Sequence, residues 1–116
     1  MMIKSKNRIE FTFLFFVFLL ASPNQLLAIE GNSFGKTLFK NNCSVCHLGG
    51  NNIIIPEKNL KKQTLEENGM STISAISYQI INGKNGMPAF GGRLTDSEVV
   101  EIASYVLEQA EKNFQD

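Results

Sequence analysis

The sequence has few side chains that bind a metal, no excess of charge and no long apolar run. It contains one His and two Cys among 116 residues, too few to supply the roughly four nitrogen or sulfur ligands of a structural zinc ion. Its formal net charge is +0, so the charge balance does not favour a nucleic-acid partner. The sequence contains neither internal repeats nor low-complexity segments. This composition predicts one small domain and no nucleic-acid binding.

The N-terminal apolar run is about ten residues long, short of the roughly 20 that a membrane-spanning helix needs. Basic residues precede this run and a plausible cleavage site follows it, an order typical of an export leader. We expect residues 1–28 to be a signal peptide cleaved after Ala28 and residues 29–116 to be the functional domain, with an uncleaved anchor as the alternative. The cleaved protein should not insert stably into a membrane. The segments concerned are Lys4, Lys6 and Arg8, then Phe11 to Leu20, then Pro23 and Leu26-Leu27-Ala28.

The most informative motif is Cys43-Ser44-Val45-Cys46-His47. Two thiols separated by two residues can each add across one vinyl group of a porphyrin, and the histidine that follows can bind its iron. A thioredoxin-like dithiol would require a nearby strand-helix pattern, which the sequence does not show. A simple disulfide between Cys43 and Cys46 would leave His47 unexplained. The motif therefore predicts one covalently attached haem c, with His47 as an axial iron ligand.

The ligand on the other side of the iron decides between an electron carrier and a catalyst. The chain has no second histidine, and Met70 and Met87 are the thioethers that remain after leader removal. Met87 is favoured as the ligand, because Pro88 disfavours helix at Met87 and Gly86 lets the backbone approach the ring. Met70, just before a helix, is interpreted as a packing residue. Two filled axial positions leave no open site for oxygen or peroxide, which favours electron transfer over catalysis.

Apolar residues recur at helical spacing in four segments, and no segment alternates with the period of a strand. This pattern predicts an all-α fold with four helices wrapped around the haem. A capping box from Thr95 to Glu98 marks the start of the last helix, and Gly83 marks the end of the third. The apolar triplet Ile53–Ile55 is placed against the edge of the ring, with a short buried strand as the alternative. The helices are predicted from about 32 or 33 to 41, 60–68, 72–82 and 95–112.

Several segments together resemble the cytochrome c6 family of algae and cyanobacteria. The resemblance implies a class I cytochrome c fold, with haem c bound through Cys43 and Cys46 and ligated by His47 and Met87. Gly86 is a departure, since the family usually has alanine before the methionine. The segments that carry the resemblance are the Cys43 to His47 motif, Gly49 to Pro56, Tyr78-Gln79, and Asn82 to Leu94 with its Gly-Met-Pro.

The resemblance also implies contacts between the first and last helices and a role for two polar side chains. Gly35 and Phe39 match the small and aromatic residues that the family packs against its last helix, here against Ile102 and Tyr105. Arg93 matches a position associated with docking to photosystem I, with a solvated loop arginine as the alternative. Gln79 matches a glutamine near the haem that can tune the reduction potential, with a surface glutamine as the alternative.

The function implied by the resemblance is photosynthetic electron transfer. Such a protein carries single electrons from cytochrome f of the cytochrome b6f complex to photosystem I. We expect the location to be the thylakoid lumen of a plastid, with a cyanobacterial lumen or periplasm as the alternative, and the protein to be a monomer. The same haem chemistry would serve a carrier that donates electrons to a terminal oxidase. A small peroxidase-like enzyme would require Met87 to be absent from the iron or easily displaced.

Overall fold

The computed structural model describes residues 24–115, with side chains from Ser33 onward. Most of the expected leader therefore lies outside the described residues. Within them the fold is all-α, as predicted, and no strand occurs between residues 24 and 115. Two short 3-10 turns, Leu48–Gly50 and Pro56–Lys58, connect the helices. The helices are α1 Asn24–Asn42, α2 Ser44–His47, α3 Lys62–Glu67, α4 Ile73–Asn82 and α5 Asp96–Glu111.

Helix α5 begins at the predicted capping box. The Glu98 backbone N–H donates to Thr95 Oγ1 at 3.2 Å, and the Thr95 backbone N–H donates to Glu98 Oε2 at 2.8 Å. These two bonds satisfy backbone donors that a helix start otherwise leaves without partners. One face of the helix is buried in the core, and Ile102 on that face is only 1% exposed. The other buried apolar residues of α5 are Val99, Ala103, Tyr105, Val106 and Ala110.

Helices α1 and α5 cross at Gly35, as the resemblance implies. A Cβ atom at Gly35 would lie 2.5 Å from the Glu101 carbonyl oxygen and 2.9 Å from Tyr105 Cβ. Only a residue without a side chain allows the two backbones to approach this closely. One turn further along α1, the Phe39 and Tyr105 rings pack with their centroids 5.3 Å apart. The predicted pairing of first and last helices is confirmed.

Helix α4 ends where the sequence predicts, at Gly83. Its start is capped by Thr72, whose Oγ1 accepts from the Ala75 backbone N–H at 3.1 Å. Gly83 has a φ of 64° and lies directly against the backbone of Met87 and Pro88, so a Cβ at this position would clash. The glycine therefore reverses the chain and lets the segment that carries Met87 fold back beside the end of α4.

The structure differs from the sequence prediction in three places. Helix α1 begins at Asn24 rather than at residue 32 or 33, so it runs through the expected cleavage position after Ala28. Residues Ser44–His47 form an additional helical turn, which makes five α-helices rather than four. Helix α3 is shorter than predicted, because Pro56–Lys58 forms a separate 3-10 turn and an extended Lys61 precedes the helix.

The strand alternative for Ile53–Ile55 is wrong. The backbone N–H groups of Ile54 and Ile55 both donate to Asn52 Oδ1, at 3.0 and 2.9 Å. A side-chain amide that accepts from following backbone groups forms a local turn, which competes with an extended ladder.

Between residues 24 and 115, no helix combines the length and the apolar character needed to cross a membrane.

Candidate haem site

A cavity of about 440 Å³ opens between α2, α4 and the segment that follows α4. Five of the six predicted site residues line it, namely Cys43, Cys46, His47, Gln79 and Met87, whereas Arg93 is not part of the lining. The volume lies in the range typical of ligand pockets. The apolar part of the lining includes Phe39, Leu65, Ile76, Ile80, Phe90, Ile102 and Val106, together with Ile54 and Ile55 of the predicted ring-edge triplet. Ile53, the third residue of that triplet, is exposed and does not line the cavity.

The end of α1 and the turn of α2 bring the two cysteines and the histidine to one wall of the cavity. The Cys43 backbone N–H donates to the Phe39 carbonyl at 2.8 Å and so continues the hydrogen bonding of α1. The Cys43 carbonyl then accepts from Cys46 at 3.1 Å and from His47 at 2.9 Å. This tight turn places two thiols and one imidazole within five residues.

The Cys43 thiol is held in its neutral form. Burial raises the pKa of Cys43 to about 11, because the thiolate would lose its hydration in the cavity wall. Redox-active dithiols work in the opposite way, with a lowered pKa that exposes a reactive thiolate. The environment of Cys43 therefore argues against the dithiol alternative.

The His47 ring is fixed by the turn that follows it. Its Nδ1 lies 2.8 Å from the Asn51 carbonyl oxygen, which can only accept, so Nδ1 carries the proton. This tautomer leaves the lone pair of Nε2 free to bind a metal. The Asn51 backbone N–H donates to the Leu48 carbonyl at 3.2 Å, which holds the acceptor in place.

Sequence reasoning missed two partners of this turn. The Asn51 carbonyl is a backbone group and leaves no signal in the sequence. Phe114 lies against Gly50 so closely that a Cβ at Gly50 would overlap its ring. The Phe114 ring also lies 6.1 Å from that of Phe39. The available signal for Phe114 was that it is a single aromatic residue among the polar residues that follow α5.

Met87 is presented by a two-residue hairpin turn. Lys84 and Met87 exchange two backbone hydrogen bonds, each 3.0 Å long. The two residues between them, Asn85 and Gly86, have φ angles of 48° and 90°, as a turn of this type requires. Gln79 points its Nε2 at Met87 Sδ from 3.9 Å, so the predicted glutamine and methionine are in contact.

Met70 also lines the cavity. It packs against the core as a partly buried residue, and its backbone N–H donates to the Leu65 carbonyl at 2.7 Å. This position suits the packing role predicted for it. Both thioethers that were considered as ligands therefore border the same cavity, and Met87 is the one in a turn outside regular helix.

The residues around the cavity suit a covalently attached haem. An imidazole nitrogen and a thioether sulfur are suitable axial ligands for haem iron, and two thiols can form the covalent links. The apolar lining matches a flat, largely hydrophobic ring. Together these groups can hold a one-electron redox centre in surroundings that contain little water.

Arg93 lies on the surface at the start of the segment leading to α5. Its guanidinium carbon is 4.7 Å from the centroid of the Phe90 ring, a cation–π geometry. The side chain is exposed, whereas Phe90 is buried and lines the cavity. The structure therefore fixes a positive charge near the cavity without placing it inside.

Comparison with known proteins identifies the family. Residues 32–106 match a family model described as cytochrome c oxidase, cbb3-type, subunit III. The cytochrome c6 of Bumilleriopsis filiformis is 59% identical over 80 residues, which cover 69% of this chain and 93% of that protein. The chain belongs to the cytochrome c6 family. The cytochrome c6 of Pyropia yezoensis is 47% identical over 109 residues, 94% of this chain and 99% of that one.

A solved structure agrees with this assignment. The cytochrome c6 of the diatom Phaeodactylum tricornutum superposes with a TM-score of 0.68 and 46% identity, over 71% of this chain and 97% of that one. This member of the cytochrome c6 family is thus a small c-type cytochrome that carries electrons through one covalently bound haem c with its iron. The peroxidase-like alternative is wrong, because the relatives are electron-transfer proteins and not enzymes.

Proposed function

We propose that this protein carries single electrons from cytochrome f of the cytochrome b6f complex to photosystem I in the thylakoid lumen of a plastid. The observation that carries the proposal is the cavity, in which an imidazole, a thioether and two thiols meet in a member of the cytochrome c6 family. Relatives from algae and a cyanobacterium support a photosynthetic setting.

In this proposal Cys43 and Cys46 would form the thioether links, and His47 Nε2 and Met87 Sδ would bind the iron. The haem supplies a one-electron couple when bound. The hydrogen bond to the Asn51 carbonyl fixes the plane and tautomer of the His47 ring. The apolar lining excludes water, so little rearrangement accompanies a change of charge. Gln79 directs an amide N–H toward Met87 Sδ and thereby adjusts the reduction potential.

The leader assignment is also part of the proposal. We infer that residues 1–28 are removed on export and that residues 29–116 form the working domain. The alignment with the Pyropia yezoensis protein spans 109 residues, whereas that with the Bumilleriopsis filiformis protein spans 80. The difference is close to the length of the expected leader, and each alignment covers nearly all of its relative. Mass determination of the exported protein tests the cleavage after Ala28.

Arg93 is proposed as a docking residue for photosystem I. Its guanidinium is exposed and restrained over Phe90, so it loses less conformational freedom on contact than an unrestrained side chain would. A single fixed charge at the rim suits a partner that must be met and released quickly, because rim charges act mainly on the association rate.

Ligand spectroscopy tests the site. Replacement of Met87 by Ala in the haem-loaded protein should abolish the near-infrared methionine–iron band and produce a high-spin fraction. Met70→Leu, a volume-conserving change beside the same cavity, is the matched control and should keep the band. If Met70→Leu loses the band and Met87→Ala retains it, the two methionines have been assigned the wrong way round.

Flash-induced reduction of photosystem I tests the partner. Arg93→Gln should slow this reaction and weaken its dependence on ionic strength, whereas Arg93→Lys should slow it less. Lys40→Gln, an equal loss of charge at an exposed position on α1, should leave the rate nearly unchanged. Equal rates in all three variants would remove Arg93 from the docking surface.

Donation to a terminal oxidase is the second candidate, and the match to the cbb3-type oxidase subunit III model favours it. Oxygen uptake by a cbb3-type oxidase with the reduced protein as donor distinguishes the two. We expect photosystem I to be reduced much faster than the oxidase. The reverse order would replace the proposed acceptor with the oxidase.

A further inference from the structure

The chain contains three Asn-Gly dipeptides, at Asn68, Asn82 and Asn85. In such a pair, the glycine backbone nitrogen is sterically free to attack the asparagine side chain, because glycine has no Cβ. This attack expels the side-chain nitrogen as ammonia and closes a cyclic imide. It requires that the glycine nitrogen and the side-chain amide are both free to move. Hydrogen bonds to either group slow the reaction, because they must open first. The three sites differ in this respect.

Asn68 is held at both reacting groups. Its Nδ2 donates to the Thr64 carbonyl at 2.7 Å, and its Oδ1 accepts from Lys58 Nζ. The backbone N–H of Gly69 donates to the Glu66 carbonyl at 3.1 Å. Neither the leaving amide nor the attacking nitrogen is free.

Asn82, the last residue of α4, is held in the same way. Its Nδ2 donates to the Tyr78 carbonyl at 2.8 Å. The Gly83 backbone N–H donates to the Gln79 carbonyl, also at 2.8 Å, as part of the helix cap. Attack at Asn82 therefore requires the end of α4 to unwind.

Asn85 is different from both. Within residues 24–115, no hydrogen bond engages its side-chain amide or the backbone N–H of Gly86. Both residues are exposed at the tip of the hairpin turn. Among the described residues other than its chain neighbours, Ile54 alone would lie within 4 Å of a Cβ at Gly86, and at 3.5 Å this is an ordinary contact. The two reacting groups thus have no hydrogen-bond partner in the described part of the chain, and Asn85 also borders the cavity.

We propose that Asn85 is a site of spontaneous, water-dependent modification to aspartate and isoaspartate. The Gly86 backbone nitrogen bonds to Asn85 Cγ, the Cγ–Nδ2 bond breaks, and the side-chain nitrogen leaves as ammonia with the Gly86 amide proton. A water molecule from the solvent then adds to either carbonyl of the resulting cyclic imide and opens the ring. The step involves no oxidation, and its only co-reactant is water.

The modification places a new carboxylate on the hairpin that carries Met87. In isoaspartate the peptide bond to Gly86 is made by the side-chain carbon Cγ, which adds one carbon to the main chain and lengthens the two-residue turn. The two hydrogen bonds between Lys84 and Met87 depend on the length of that turn. The modification is independent of the proposed partners, so its test stands apart from the test of function.

Ageing of the haem-loaded protein at mildly alkaline pH tests the proposal. Peptide mapping by mass spectrometry follows the conversion of amide to acid at all three sites in one sample. Asn85 should convert roughly tenfold faster than Asn68 or Asn82, because two hydrogen bonds need not open first. A synthetic peptide of residues 83–88 gives the unrestrained rate. Equal conversion at all three sites, or an intact Asn85 after the peptide has reacted, would overturn the proposal.

Isoelectric focusing provides an independent readout. The acidic species that accumulates in the aged protein should comigrate with Asn85→Asp. It should be absent from aged Asn85→Gln, because the longer side chain closes a ring of less favourable size. Persistence of the acidic species in Asn85→Gln would place the reaction elsewhere and refute the assignment.

Discussion

Replacement of Gly35 by alanine tests the close approach of α1 and α5. The added Cβ would lie 2.5 Å from the Glu101 carbonyl oxygen and 2.9 Å from Tyr105 Cβ. Neither atom belongs to the flexible end of a side chain, so the contact can be relieved only by moving the helices apart. The separation would also loosen the ring contact between Phe39 and Tyr105.

Two costs and one gain set the size of the destabilisation. Overpacking of this kind costs about 1–3 kcal/mol. The loosened aromatic pair loses up to about 1 kcal/mol. Alanine in place of glycine within a helix recovers about 1 kcal/mol through its helix propensity. The net destabilisation should be about 2 kcal/mol, which lowers the melting temperature of a domain this size by roughly 10 °C.

Thermal unfolding of the haem-loaded Gly35→Ala protein, followed by circular dichroism of the helices, measures this effect. Thr37→Ala is the matched control, because Thr37 lies on the exposed side of the same helix and its hydroxyl donates to the Ser33 carbonyl within that helix. Its melting temperature should stay the same or rise slightly. An unchanged or higher melting temperature for Gly35→Ala would show that the helix contact is not the constraint on position 35.

Three further changes probe the caps and the site. Thr95→Ala removes the cap of α5 and should cost about 1 kcal/mol in chemical denaturation. Gln79→Leu removes the N–H directed at Met87 Sδ and should lower the midpoint potential in a redox titration by roughly 20–40 mV; an unchanged potential would contradict its tuning role. Gly50→Ala should displace Phe114 and speed exchange of the His47 Nδ1 proton in NMR spectra, an effect that Gly92→Ala, in open space, should not produce.

The sequence was sufficient for the elements that have strong local signals. Thr95 and Glu98 exchange the hydrogen bonds of the capping box at the start of α5. After α4, the reversal at position 83 leaves no room for a Cβ and therefore requires glycine. The haem motif and the Gly86-Met87-Pro88 turn are also local, so the residues around the cavity could be named in advance. Each of these features depends on residues within a few positions of one another.

Features that depend on backbone partners or distant contacts could not be predicted in the same way. The turn Ser44–His47 is too short to show a periodic pattern. The course of Ile53–Ile55 is set by one side-chain oxygen of Asn52, which competes with a strand. The contact of Phe114 with Gly50 joins segments that are remote in the chain, and no pattern in either segment specifies the other.

The crossing at Gly35 and Tyr105 has a consequence for the folding rate. The two residues are about 70 positions apart, so bringing them together closes a large loop, at an entropic cost of roughly 4 kcal/mol before any contact is gained. Helical proteins usually fold fast because their contacts are local. This protein should fold more slowly than a simple helical bundle of equal length, since this close contact joins the first and last of the described helices.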